Sequence, residues 1–94
     1  MNTITATDTP VELKTLAWDG RPKVVALHGD ANDFVWSLEM STDAGASWVA
    51  AADGDNNTSF TGCKPVQYWE CEETLYRVNI SNLGTATTVN VVEN

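Results

Sequence analysis

Basic side chains are scarce in this 94-residue sequence: five Lys and Arg stand against 13 Asp and Glu, a formal charge of −8. Binding DNA or RNA needs clustered cations to neutralise phosphates. Lys14, Arg21, Lys23, Lys64 and Arg77 are scattered, so no nucleic-acid partner is expected. Anionic membranes are disfavoured for the same reason. No apolar run approaches the roughly 18–20 residues of a membrane span. The opening Met1-Asn2-Thr3-Ile4-Thr5-Ala6-Thr7 lacks the basic start and apolar stretch of a signal peptide, which predicts a protein made in the cytoplasm.

Cysteine and histidine are almost missing as well. Cys63 and Cys71 lie eight residues apart and do not make a disulfide scaffold. Two buried thiols or one short bridge both remain open. With His28 as the lone histidine, the chain falls short of the roughly four ligands of a zinc site unless subunits share one. There is no P-loop, no G-x-G-x-x-G and no G-x-S-x-G, so His28 has no nucleophile elbow to serve and reads as a strand-end residue beside Gly29. Asp53, Asp55 and Asn57 alternate like the start of a calcium loop, but Thr58 and Lys64 stand where Gly and Glu are needed. Asp30 and Asp33 flank a turn, and a chain this small rarely encloses the sugar cleft that a carboxylate pair would serve. These absences predict a non-enzymatic protein without cofactor or metal.

Helical periodicity is also missing: no stretch of 11 residues places apolar side chains at i, i+3, i+4 and i+7. Period-two alternation recurs instead. It is clearest over residues 34–41, where Phe34, Trp36, Leu38 and Met40 share a face, and over 74–81, where Tyr76, Val78 and Ile80 do. Turn residues interrupt these runs every 8–12 positions. The pattern predicts an all-β fold: one antiparallel β-sandwich of about seven or eight strands, Ig-like or jelly-roll-like. Residues 1–10 form an N-terminal arm or edge strand and 11–94 the sandwich. Four Trp, two Tyr and two Phe supply ample core. A domain of this size buries only about 60–65% of its unfolded surface, so a partner or a second copy would help it.

Two local motifs stand out. Ser41-Thr42-Asp43-Ala44-Gly45-Ala46-Ser47-Trp48 fits S-x-D-x-G-x-x-W and resembles the Asp-box of sialidase propellers and other β proteins. Asp43 is expected to cap turn amides, Gly45 to take positive φ, and Trp48 to fold back over the hairpin. Leu75 to Gly84 followed by Thr87 to Val92 resembles the final hairpin of immunoglobulin-like domains, with Tyr76 starting the penultimate strand and Asn82-Leu83-Gly84 turning the chain. Trp36 would be the core tryptophan of such a sandwich. The antibody cysteine pair has no counterpart, since Cys63 and Cys71 sit in other strands.

Together, Leu38 to Trp48 and Leu75 to Val91 resemble small virion proteins of tailed bacteriophages. These carry a valine-rich strand, S-x-D-x-G-x-x-W, a polar loop, a Tyr-Arg strand and a Gly-Thr turn in that order. The resemblance covers about half of the chain. It implies a virion component on the capsid surface, a head decoration (cement) protein contacting the major capsid protein or other virion proteins, in a homo-oligomer or symmetric array. Ile4 on the arm, Trp18 and Tyr68 are the candidate partner contacts. The rival reading is a carbohydrate-binding or tail-fibre accessory module, with Trp18, Trp69 or Tyr68 as a stacking platform.

Overall fold

The computed structural model describes residues 2–13, 23–52, 56–68 and 74–93. Nine strands follow one another: β1 (Asn2–Ile4), β2 (Val11–Glu12), β3 (Lys23–Gly29), β4 (Val35–Ser41), β5 (Val49–Ala50), β6 (Phe60–Thr61), β7 (Val66–Tyr68), β8 (Leu75–Asn82) and β9 (Val89–Glu93). They form two antiparallel sheets. The first has the order β1-β9-β3-β7, and the second the order β2-β8-β4-β5 with β6 also paired to β4. The expected all-β sandwich is therefore present, with no helix among the described residues.

Alternation decides which side chains meet between the sheets. Val25 and Leu27 of β3, Val89 and Val91 of β9, Trp36 and Leu38 of β4, and Val78 and Ile80 of β8 are all buried. Each is two residues from the next along its strand, so each points to the same side. Phe34 and Trp36 are fully buried. The Trp36 ring packs 4.9 Å from that of Phe60, and its indole N–H donates to the Gly62 carbonyl at 2.9 Å. Trp36 is the core tryptophan that the sequence pattern called for.

Four connections gather at one end. β1 to β2, β3 to β4, β6 to β7 and β8 to β9 all pass from one sheet to the other. Cross-links tie the crossings together. Asp30 accepts from the amides of Thr87 (2.8 Å) and Thr88 (3.2 Å) and from the Thr87 hydroxyl. Asp33 accepts from the Thr85 amide at 2.8 Å and its hydroxyl at 3.1 Å. The Asp8 amide donates to the Ile80 carbonyl. Gly84, at φ 60°, passes so close that a Cβ would stand 2.5 Å from the Asp33 carboxyl carbon.

These contacts correct one expectation. Leu75 to Val92 does not make a terminal hairpin of the immunoglobulin kind, because β8 and β9 lie in different sheets. Asn82 and Gly84 do turn the chain, with the Gly84 amide donating to Asn82 Oδ1 at 2.8 Å. The turn carries the chain across the sandwich, and Asp30 and Asp33 hold it there. Tyr76 is buried and packs on Tyr68 at 4.8 Å between ring centres.

Candidate functional site

The residues that alternate away from the core build two outer faces of unlike character. On the first sheet, ladder partners identify the row members: Val24 faces Gln67, Ala26 faces Val92, His28 faces Asn90, and Asn90 faces Thr3. None of these seven side chains is an acid, a lysine or an arginine. Val92 is 42% exposed, one of two large apolar side chains that the described surface leaves open. The polar members partly satisfy one another: the Thr3 hydroxyl donates to Asn90 Oδ1 at 2.9 Å. In a chain of net charge −8, these described ladder members carry no carboxylate.

On the second sheet the outward row is ionic. Glu12 faces Arg77, Arg77 faces Glu39, and Glu39 faces Ala50. Arg77 Nε donates to Glu39 Oε1 at 2.7 Å, and its guanidinium lies 4.2 Å over the Trp48 ring. That geometry suits cation–π attraction.

Trp48 reaches Arg77 through the predicted Asp-box turn. Ser41, almost fully buried, donates its hydroxyl to Asp43 Oδ1 at 2.7 Å and accepts from the Gly45 amide at 2.9 Å. Asp43 also accepts from the Ser47 amide at 2.9 Å and from the Ser47 hydroxyl. Gly45 takes φ 90°, and the Trp48 indole donates to its carbonyl at 3.2 Å. The hydroxyls of Ser47 and then Ser41 hold the Asp43 carboxyl down at about 2, against an ordinary 3.8. Ser41, Asp43, Gly45 and Trp48 thus form a closed, internally hydrogen-bonded turn.

The proposed partner contacts fare differently. Ile4 is 2% exposed and Tyr68 6%. Ile4 lies inside because β1 pairs with β9 of its own chain, Asn2 to Val91 through Ile4 to Val89. The arm is an edge strand of this sandwich, and its apolar side chain is spent on this core. Tyr68 stacks on Tyr76, so it offers no platform for sugar. Trp18, Trp69, Cys71, Asp53 and Asp55 lie outside the described residues.

Asp30 and Asp33 are capping groups and not an acid–base pair. Hydrogen bonds from the Thr87 side chain and backbone hold Asp30 below the usual carboxylate range, and the Thr85 amide does the same for Asp33. A general acid needs its pKa raised. An apolar cleft of about 330 Å³ opens beside Leu38, Met40, Val49, Ala51, Tyr68 and Tyr76. Among the described residues its lining holds no carboxylate, histidine or cysteine.

One contact was invisible in the sequence. His28, an exposed member of the first sheet's outer face, has its Nδ1 3.3 Å from Cys63 Sγ. The two residues are 35 positions apart, and the crossing from β6 to β7 brings them together. No spacing rule signals such a pair. Comparison with known protein families, with curated proteins and with solved structures gives no match to this chain.

Proposed function

We propose that this chain is a non-enzymatic docking protein, a capsid decoration (cement) protein of a tailed-phage virion. In this reading it lies against major capsid protein subunits through the outer face of its first sheet. The observation that carries the reading is the composition of that face, whose seven described ladder members lack formal charge while the chain as a whole carries −8. Interface centres are depleted in charged residues because an unpaired charge is costly to desolvate. A sheet face holding Val24, Ala26 and Val92 among amide and hydroxyl groups meets that requirement. The ionic outer face of the second sheet would then look to solvent and keep free copies apart before docking. A standard interface takes about 800 Å² from each partner, roughly one-seventh of the chain's 5512 Å². The phage-virion assignment itself rests on the sequence resemblance over residues 38–48 and 75–91.

The mechanism is mass action. Each bound copy adds contacts that must break before capsid subunits can separate, so the bound particle is the more stable one. Quantitative mass spectrometry of purified virions tests the reading. It predicts about one copy per major capsid subunit, or one per symmetric group of subunits. A few copies per particle would move the protein to the tail or a fibre, and absence from the virion would overturn the reading.

A further inference from the structure

We propose that the open side of the sandwich, between β5 and β7, takes an extended segment of a partner protein as an added strand on the β5 edge. The segment has apolar side chains at alternate positions and Lys or Arg at its ends. β5 ends the second sheet and β7 ends the first, so each is an edge strand. The apolar cleft of about 330 Å³ opens between these two edges, floored by Leu38, Met40, Tyr68 and Tyr76. Its rim on the β5 side runs from Val49 to Ala52.

Val49 marks this side as unfinished. It stands opposite Met40 in the ladder, and directly opposed residues project to the same face of a sheet. Met40 is two residues from Leu38, which is buried between the sheets, so both point inward. Val49 therefore faces inward as well, and yet it is 59% exposed. No element of the described chain closes the sandwich over it. Covering this valine and the cleft floor is favoured by the hydrophobic effect.

The β5 edge is also open to pairing. The Ala51 amide donates to the Leu38 carbonyl at 2.7 Å. Bonded and unbonded pairs alternate along an antiparallel ladder. Ala50, opposite Glu39, is therefore the unbonded member, and its N–H and C=O point away from β4. Val49, Ala50, Ala51 and Ala52 include no charge and no proline, the usual guards of an edge. β7 differs, since Lys64 and Pro65 lead into it. A strand laid beside β5 bonds to the Ala50 backbone and drops alternate side chains into the cleft, as in β-strand addition.

Charge selects the occupant. Asp53 and Asp55 follow Ala52 in the sequence, and Glu70, Glu72 and Glu73 follow Tyr68, with no Lys or Arg among residues 53–57 or 69–73. These acids lie outside the described residues, and their place in the chain ties them to the two rims. They outnumber Lys23, which stands opposite Tyr68 on β3. A second copy of this chain would bring another −8 against them, whereas a segment with basic ends is attracted. The site meets the uncharged outer face of the first sheet only at Gln67, and the inference does not rest on the docking reading.

The test titrates the peptide Lys-Lys-Val-Thr-Val-Thr-Val-Lys-Lys into the ¹⁵N-labelled full chain, followed by amide shifts and hydrogen exchange, with sedimentation velocity of the free chain in parallel. Shifts are expected at Met40, Val49 and Ala50, with slowed exchange of the Ala50 amide and no shift at Val92 or His28. Replacing the peptide's lysines by glutamates should weaken binding more than about tenfold at low salt. Shuffling its valines and threonines out of alternation should also weaken it. V49K, which puts a guarding charge on the rim, should lose the shifts at an unchanged thermal midpoint. No shift up to about 1 mM peptide, equal binding of the glutamate peptide or the shuffled one, or shifts centred on Val92 and His28 would overturn the proposal. So would a free chain that is dimeric and becomes monomeric in V49K, which would make a second copy the occupant.

Discussion

The outer faces of the two sheets share one alternation and differ in chemistry. On the second sheet, Arg77, Glu39 and Trp48 satisfy one another within the chain, through an ion pair at 2.7 Å and a stacked guanidinium at 4.2 Å. On the first sheet, Val24, Ala26 and Val92 share the rows with Gln67, Asn90, Thr3 and His28, and none of these described side chains is an acid, a lysine or an arginine. A face whose groups are already paired gains little from a partner. A face of uncharged side chains with an exposed valine gains by losing water. Substitutions on the first should therefore change docking and leave stability alone, and those on the second should do the reverse.

The largest effect is expected from Val92→Glu. It places a charge at the centre of the proposed contact, where desolvation costs several kcal/mol. Occupancy on capsids should fall by more than about 100-fold, equivalent to about 2.7 kcal/mol, with an unchanged thermal midpoint. A parallel loss of midpoint and occupancy would mean that Val92 serves the fold and not the contact.

Next comes Gly62→Ala, at the crossing that links the two faces. Positive φ and a clash with a backbone oxygen at 2.6 Å should together destabilise by about 1–3 kcal/mol in denaturant titration. Gly45→Ala shares positive φ but meets nothing nearer than 3.7 Å, so it should cost about 1–2 kcal/mol, from backbone conformation alone. Equal losses at the two positions would contradict the close packing of the Asn32 and Gly62 loops.

Arg77→Ala removes the Glu39 pair and the stack on Trp48 from a half-buried site. The expected loss is about 0.5–2 kcal/mol, with capsid occupancy unchanged. The smallest effect is pH-dependent. Asp43 is held at about 2 against an ordinary 3.8, so its ionised form is favoured in the folded chain. The stability it contributes is present in full above about pH 4 and disappears as pH falls from 3.8 towards 2. The difference between the parent and D43N in urea midpoints should close across that window and stay constant above it.

These predictions divide along the same line as what could be read from the sequence. The Asp-box turn was legible because Ser41, Asp43, Gly45, Ser47 and Trp48 find their partners within seven residues. The cores of β4 and β8 were legible because alternation assigns each side chain a face whatever its neighbour strand is. Alternation does not say which strands pair. That is why Ile4 read as a contact for another protein, when β1 closes on β9, and why β8 and β9 read as a hairpin, when a six-residue crossing separates them into different sheets. Tyr68 was ambiguous for a related reason: adjacent Tyr68 and Trp69 must point to opposite faces, and only the packing on Tyr76 puts Tyr68 inside. The uncharged face is a property of strand order, since its seven members come from four strands. The His28–Cys63 contact depends on a crossing that no local signal marks.

Hydroxyl-radical footprinting of the chain, free and bound to capsids, reads both faces in one experiment. Burial of the first sheet's outer face predicts that oxidation at Val92 and His28 falls on binding while oxidation at Trp48 stays constant. Protection of Trp48 with Val92 and His28 unchanged would put the contact on the ionic face and contradict the assignment made here.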